Sequence, residues 1–433
     1  MTAGVEGRKV SDLNPTRLSV VSVGPSSAAP AAESPLNEIP MKFLLRGVAA
    51  LGLLSSLNSL VAADAAEPAL PPLPAPLSVP APGPKTDAPY APQAILPGGV
   101  VVPLYPPDSP YLNHDKIREP EVYNWYGPGR EMIGNIVSIH NPSIEFHAGN
   151  GQLNTGAAII LAAGGGHRTL NVGGESADEV NFFKHHGITT IILRNRLRSD
   201  GYEPKTDGVN DALQAIKLVR AYAKEWHIDP NKIGIMGFSA GAELAAATSL
   251  QWAEFDAKND VAGNPLAKIS SRPDFVALVY PGPSQFALGG TPVIPRDAPP
   301  AFITCAGWGD WIHAIWATEY FDAMLRDGVP NVEIHIYARG HHPGDKVAPD
   351  EIPATGGLSS MGGMAMGKWS ERYLDWFRDL GFLGKPGVET QAAKDVATNL
   401  KRVKRDPNWR PKPPAPPAAP VAPAAAGSAA KTP

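Results

Sequence analysis

The chain has one cysteine, Cys305, in 433 residues. That excludes an intrachain disulfide framework and any cysteine-rich metal site. Charge is sparse and balanced, with 38 Lys+Arg against 42 Asp+Glu and a net charge of −4. Such a balance lacks the basic surface that would make nucleic acid the expected partner. Apolar runs are short, and none reaches the about 20 residues that a membrane-spanning helix needs. With 43% hydrophobic residues the chain is still too apolar to be disordered throughout. Internal repeats are lacking as well.

Proline is what the chain has in excess, 47 in all, and its placement divides the chain. Ten fall within 68–92 and nine within 407–433. Residues 64–107 therefore read as an extended Pro/Ala-rich linker, and 385–433 as a basic, then Pro/Ala-rich, disordered tail that includes Lys401 to Arg405. Before the linker, Met41-Lys42-Phe43-Leu44-Leu45-Arg46 precedes an apolar run from Gly47 to Leu57 and the small-residue pattern Val61-Ala62-Ala63. This is the layout of a secretory signal peptide over 41–63. The expectation is a start at Met41, cleavage near Ala63, 1–40 as a non-translated or disordered extension, and a secreted or periplasmic protein with no membrane span after signal removal.

The remaining segment, 108–384, alternates short apolar runs with helical patterns. Strands are expected at 157–163, 188–193, 232–236, 275–280, 301–305 and 332–337. Helices are expected near 176–186, 209–226, after 241, and at 316–327 and 368–380. Strands alternating with helices predict a doubly wound α/β fold with a mostly parallel sheet and helices on both faces. Sites in such sheets lie at the carboxyl ends of the strands.

Several residues there carry chemistry. Gly237-Phe238-Ser239-Ala240-Gly241 has the G-x-S-x-G form directly after a predicted strand and before a predicted helix. That context makes Ser239 a nucleophile on a tight turn; the plain alternative is a serine N-cap. Gly164-Gly165-Gly166-His167 ends the strand at 157–163 and lacks the spacing of either phosphate-binding glycine loop. It reads as an oxyanion loop, with the amides of Gly165 and Gly166 joined by that of Ala240. Asp310, in Gly307-Trp308-Gly309-Asp310-Trp311, follows a strand, as a triad acid should. Asp274 and Asp297 precede strands, and Asp322 and Asp327 belong to a helix. His341 and His342 follow the final predicted strand, and either is a candidate base. His140, His147 and His335 show no ligand spacing with carboxylates, so no metal site is expected. His167, Trp308 and Trp311 are candidate substrate contacts, Trp308 and Trp311 as platforms for a sugar ring.

These motifs resemble the secreted α/β-hydrolase esterases described as acetyl xylan esterase-like or bifunctional feruloyl/acetyl esterase-like. The resemblance runs from about Leu104 to Leu383. It rests on the glycine loop 163–167, Gly187-Ile188 through Leu197, Asp211 through Arg220, Trp226 through Gly241, and Gly328 through His342. It implies an α/β-hydrolase fold and a Ser239, Asp310, His342 triad, His342 standing five places after Tyr337 as the family's histidine does. Further implications are an acyl-enzyme, no cofactor, and a small or polysaccharide-linked ester as substrate. Gly340-His341-His342-Pro343-Gly344 departs from the family's glycine pattern, Ala242 replaces a glycine, and 345–367 reads as an insertion covering the site. The rival readings are a serine peptidase of the same fold and a non-catalytic envelope- or polysaccharide-binding module.

Overall fold

A computed structural model describes residues 69–78, 88–127, 132–283, 293–345, 357–359 and 364–402. The chain divides into two units between Asp64 and Ala65, and every described residue lies in the second. The signal-like segment 41–63, the extension 1–40 and most of the insertion lie outside the described residues.

Among the described residues, ten strands and six α-helices follow in chain order. They are β1 (Val100–Pro103), β2 (Val122–Tyr126), β3 (Met132–Val137), β4 (Ser143–His147), β5 (Ala158–Ala162), α1 (Asp178–His185), β6 (Thr189–Arg194), α2 (Val209–Ala221), β7 (Ile233–Phe238), α3 (Ala240–Asn259), β8 (Val276–Val279), β9 (Ala301–Trp308), α4 (Trp311–Arg326), β10 (Glu333–Arg339), α5 (Trp369–Asp379) and α6 (Gln391–Lys401). β2 and β3 form a separate antiparallel hairpin. The other eight strands form one sheet in the order β1-β4-β6-β5-β7-β8-β9-β10. From β6 to β10 all pairs are parallel, while β4 is antiparallel to both its neighbours. This is an α/β-hydrolase sheet.

The central strands carry no alternation of polar and apolar residues. All residues of β5 (AIILA), β6 (TTIILR) and β7 (IGIMGF) are buried, because helices cover both faces. Each fully buried Ile or Leu contributes roughly 1.5–3 kcal/mol. α1 links β5 to β6 in one direction along the sheet, whereas α2 returns from β6 past β5 to β7. Right-handed crossovers running in opposite directions put these two helices on opposite faces. The reversal occurs at β5, so a crevice opens at the carboxyl ends of β5 and β7.

Two boundaries differ from expectation. The sheet begins before residue 108, since β1 pairs with β4 and Ala94, Ile95 and Leu104 are buried. Proline spacing hides this edge strand, although a strand of four residues at a sheet edge tolerates a terminal proline. Past residue 385 the chain forms α6, capped by the Thr390 side chain on the Ala393 amide and burying Ala392 and Val396. Small apolar positions among polar ones concealed that amphipathic face.

Candidate active site

Four turns at strand ends meet at this crevice. Ser239 follows β7 with φ 50° and ψ −118°, a conformation that costs a non-glycine residue about 1–3 kcal/mol. The turn is held by its neighbours: the Ser239 amide donates to the Val279 carbonyl at 3.0 Å, and the Ser239 carbonyl accepts from Gly282 at 3.1 Å. The serine side chain makes no helix-capping bond. Both flanking glycines are sterically required. A Cβ on Gly237 would overlap the Gly241 carbonyl, and one on Gly241 would overlap the Ala162 carbonyl of the adjacent strand.

Ser239 Oγ lies 2.9 Å from His342 Nε2. His342 stands beyond the end of β10, and its Nδ1 is 3.4 Å from Asp310 Oδ2. Asp310, 3% exposed, occupies the turn between β9 and α4. Serine, histidine and aspartate are therefore in line. His341, the alternative candidate, packs instead beside Gly309, whose Cβ position its ring occupies.

A further residue, which sequence reading missed, joins this row. His313 Nδ1 donates to the other Asp310 oxygen, Oδ1. Its ring stacks on that of His342 with centroids 3.8 Å apart and planes 5° from parallel. The signal available was a histidine three places after the acid, in the first turn of a helix. Ligand atoms of Asp310, His313 and His342 lie within 4.8 Å of one another. With the rings parallel, however, their lone pairs run side by side and do not converge on one point. The group suits proton sharing better than tetrahedral coordination of an ion.

A second hydrogen-bonded layer supports the glycine loop. Glu175 Oε2 accepts from the Gly164 amide at 2.7 Å, and Glu175 Oε1 accepts from the Tyr280 hydroxyl at 3.0 Å. The Tyr280 hydroxyl also accepts from the Gly357 amide at 2.8 Å, and its ring stands edge-on to His342 at 5.2 Å. Burial pushes the Glu175 carboxyl above its ordinary pKa, and more strongly that of Glu179, which accepts from the Leu358 amide at 3.1 Å. Gly165 and Gly166 have φ of 123° and 62°, and nothing lies within 4 Å of the Cβ position of Gly166. That backbone is open to an approaching group. Neither Glu175 nor Tyr280 could be read from sequence, because their partners stand 11 to 105 residues away.

The candidate substrate contacts separate. Trp308 and Trp311 flank Asp310 and are 77% and 65% exposed. His167 is buried, with Nε2 3.3 Å from Glu243 Oε2, and lines a recess with Arg198, Lys205, Glu243 and Leu250. His147 and His335 lie 2.8 and 2.7 Å from Glu145 and Glu333, and His140 lies 3.4 Å from Glu119. Each belongs to a pair, and among the described residues none is in a three-group cluster suited to a metal.

Residues 149–281 match the family model described as BD-FAE. That stretch contains the glycine loop and Ser239 but ends before Asp310 and His342. The chain is 32% identical over 127 residues to an acetylxylan esterase of Xylanibacter ruminicola, covering 29% of this chain and 23% of that protein. It is 39% identical over 74 residues to an endo-1,4-beta-xylanase B of Butyrivibrio fibrisolvens, covering 17% and 11%. The chain thus spans less than a quarter of the length of either relative. Among solved structures it is similar to an acetyl ester-xyloside bifunctional hydrolase from Caldicellulosiruptor lactoaceticus, at 25% identity and a TM-score of 0.49 over 66% of this chain and 98% of that one.

Proposed function

The chain carries a BD-FAE-type domain on an α/β-hydrolase sheet, and we propose that it is an exported serine carboxylic-ester hydrolase that removes short acyl groups, acetyl foremost, from carbohydrate. The observation that carries this reading is the strained Ser239 with its hydroxyl 2.9 Å from His342 Nε2 and a buried carboxylate behind that imidazole. Ser239 Oγ attacks the ester carbonyl carbon while its proton passes to His342 Nε2. Asp310 stabilises the imidazolium so formed. Amides of Gly165, Gly166 and Ala240 face the developing oxyanion, each contributing about 3 kcal/mol. Collapse expels the alcohol, which takes the proton from His342, and leaves an acyl-Ser239 ester. Water then attacks this ester, giving its proton to His342, and the acid departs as Ser239 regains its hydrogen.

Carbohydrate as the alcohol component is supported by the acetylxylan esterase relative and by the exposed Trp308 and Trp311 beside the triad acid. Export is supported by the signal-like pattern over 41–63. The test is hydrolysis of p-nitrophenyl esters of rising chain length, followed by acetate release from acetylated xylan. Turnover falling steeply beyond short acyl groups, with acetate released from the polymer, is expected. Inertness toward p-nitrophenyl acetate would overturn the esterase reading, and activity confined to small esters would overturn the carbohydrate assignment.

A further inference from the structure

The Asp310 carboxylate serves two imidazoles. His313 Nδ1 donates to Oδ1, while Oδ2 faces His342 Nδ1 at 3.4 Å and makes no hydrogen bond among the described residues. His313 sits in the first turn of α4, three residues after Asp310, so the helix fixes its approach to the carboxylate. Its ring stands perpendicular to that of Trp316, with centroids 5.0 Å apart at 89°, and lies flat against His342. We propose that His313 is a positioning residue of the triad, acting through Asp310 and His342.

Two consequences follow from geometry, and both rest on the reading of Ser239, His342 and Asp310 as a triad. With Oδ1 tied to His313, rotation of the carboxylate is restricted and Oδ2 stays directed at His342. The stacked ring also covers one face of the His342 imidazole. The second consequence concerns charge. When His342 takes the serine proton it becomes a cation with a parallel imidazole 3.8 Å away. A protonated His313 would put two cations face to face, opposing the step that forms the imidazolium. Among the described residues, the titratable groups around the pair are Asp310, which contacts both rings, Tyr280, edge-on to His342, Glu175, bonded to the Tyr280 hydroxyl, His341, beside Gly309, and Cys305, near Asp310 with its thiol pushed up to about 12 by burial. Asp310 bonds His313 and faces His342, so its single charge is shared between two imidazoles.

The experiment is the separate determination of kcat and KM on p-nitrophenyl acetate for the full chain, His313→Asn, His313→Phe and Asp310→Asn. His313→Phe, which keeps a flat ring but loses the donor, should lose roughly ten- to hundredfold in kcat with little change in KM. His313→Asn, which retains an N–H near the Nδ1 position, should recover most of it. His313 is only 13% exposed and bonds a buried carboxylate, so melting curves of the variants are recorded and kcat is compared at equal folded concentration. A kcat of His313→Phe within about threefold of the wild type overturns the proposal, provided Asp310→Asn is strongly impaired. If Asp310→Asn is as active as wild type, it is the triad reading that fails, and the inference with it.

Discussion

Asp310→Asn tests the electrostatics of the site with almost no change of shape. In the native site the carboxylate lies 3.4 Å from His342 Nδ1, with the aspartate side chain 1% and the histidine side chain 16% exposed. At an effective dielectric constant of about 20, a full charge pair at that distance is worth about 5 kcal/mol. The pair exists only once His342 has taken the serine proton, so nearly all of it is lost from the transition state. That predicts a fall in kcat of roughly 10³–10⁴ at about one decade per 1.4 kcal/mol. The asparagine amide adds to the loss, because it can accept from only one of the two imidazoles. Where its NH₂ faces His342, it favours the tautomer that carries a proton toward Ser239 and cannot act as base. The assay is stopped-flow hydrolysis of p-nitrophenyl acetate, with KM followed separately. Activity within tenfold of the wild type would show that Asp310 is not the acid and would refute the argument from this distance.

Other residues give independent predictions. Gly241→Ala drives a methyl into the Ala162 carbonyl of a central strand, so it should cost about 1–3 kcal/mol or more and lower Tm visibly in calorimetry; an unchanged Tm would contradict the packing described. Glu179 is a buried carboxyl whose pKa burial raises well above its ordinary value. The folded chain holds that proton where the unfolded chain releases it, so the stability involved is fully present below the unfolded pKa of about 4.3 and declines as pH rises through the folded value. Glu179→Gln removes the decline, and its Tm advantage over the wild type should widen as pH rises above the unfolded pKa of about 4.3; a constant gap would count against the shift. Replacing Trp308 and Trp311 together by alanine should raise KM on acetylated xylan about five- to tenfold, the loss of roughly 1 kcal/mol of stacking, and much less on p-nitrophenyl acetate. Equal effects on both substrates would remove the tryptophans from sugar contact.

The parallel half of the sheet was legible because β5, β6 and β7 are unbroken apolar runs punctuated by glycine loops. The placement of Ser239 and Asp310 in turns after β7 and β9 was legible for a related reason: glycines mark where the backbone turns at a strand's carboxyl end. His342 was one of two adjacent candidates, and only the turn after β10 decides which ring reaches Ser239. The hairpin of β2 and β3 and the edge strand β1 escaped notice, since short half-exposed strands among prolines carry little periodicity. His313 was hidden by its helix. A histidine in a first turn can face solvent or the acid, and the sequence does not state which. Glu175 and Tyr280 depend on contacts between distant segments, which no local pattern encodes.

The central claim is that Ser239 is the atom donor to an acyl-enzyme. Hydrolysis of p-nitrophenyl acetate by the wild type and by Ser239→Ala, at equal folded concentration, tests it most directly. The account predicts a loss of turnover on the order of 10⁶-fold in the variant, leaving only what the oxyanion amides and binding supply. A variant as active as the wild type would place the nucleophile elsewhere, and two equally inert proteins would make this sheet a binding scaffold instead of an esterase.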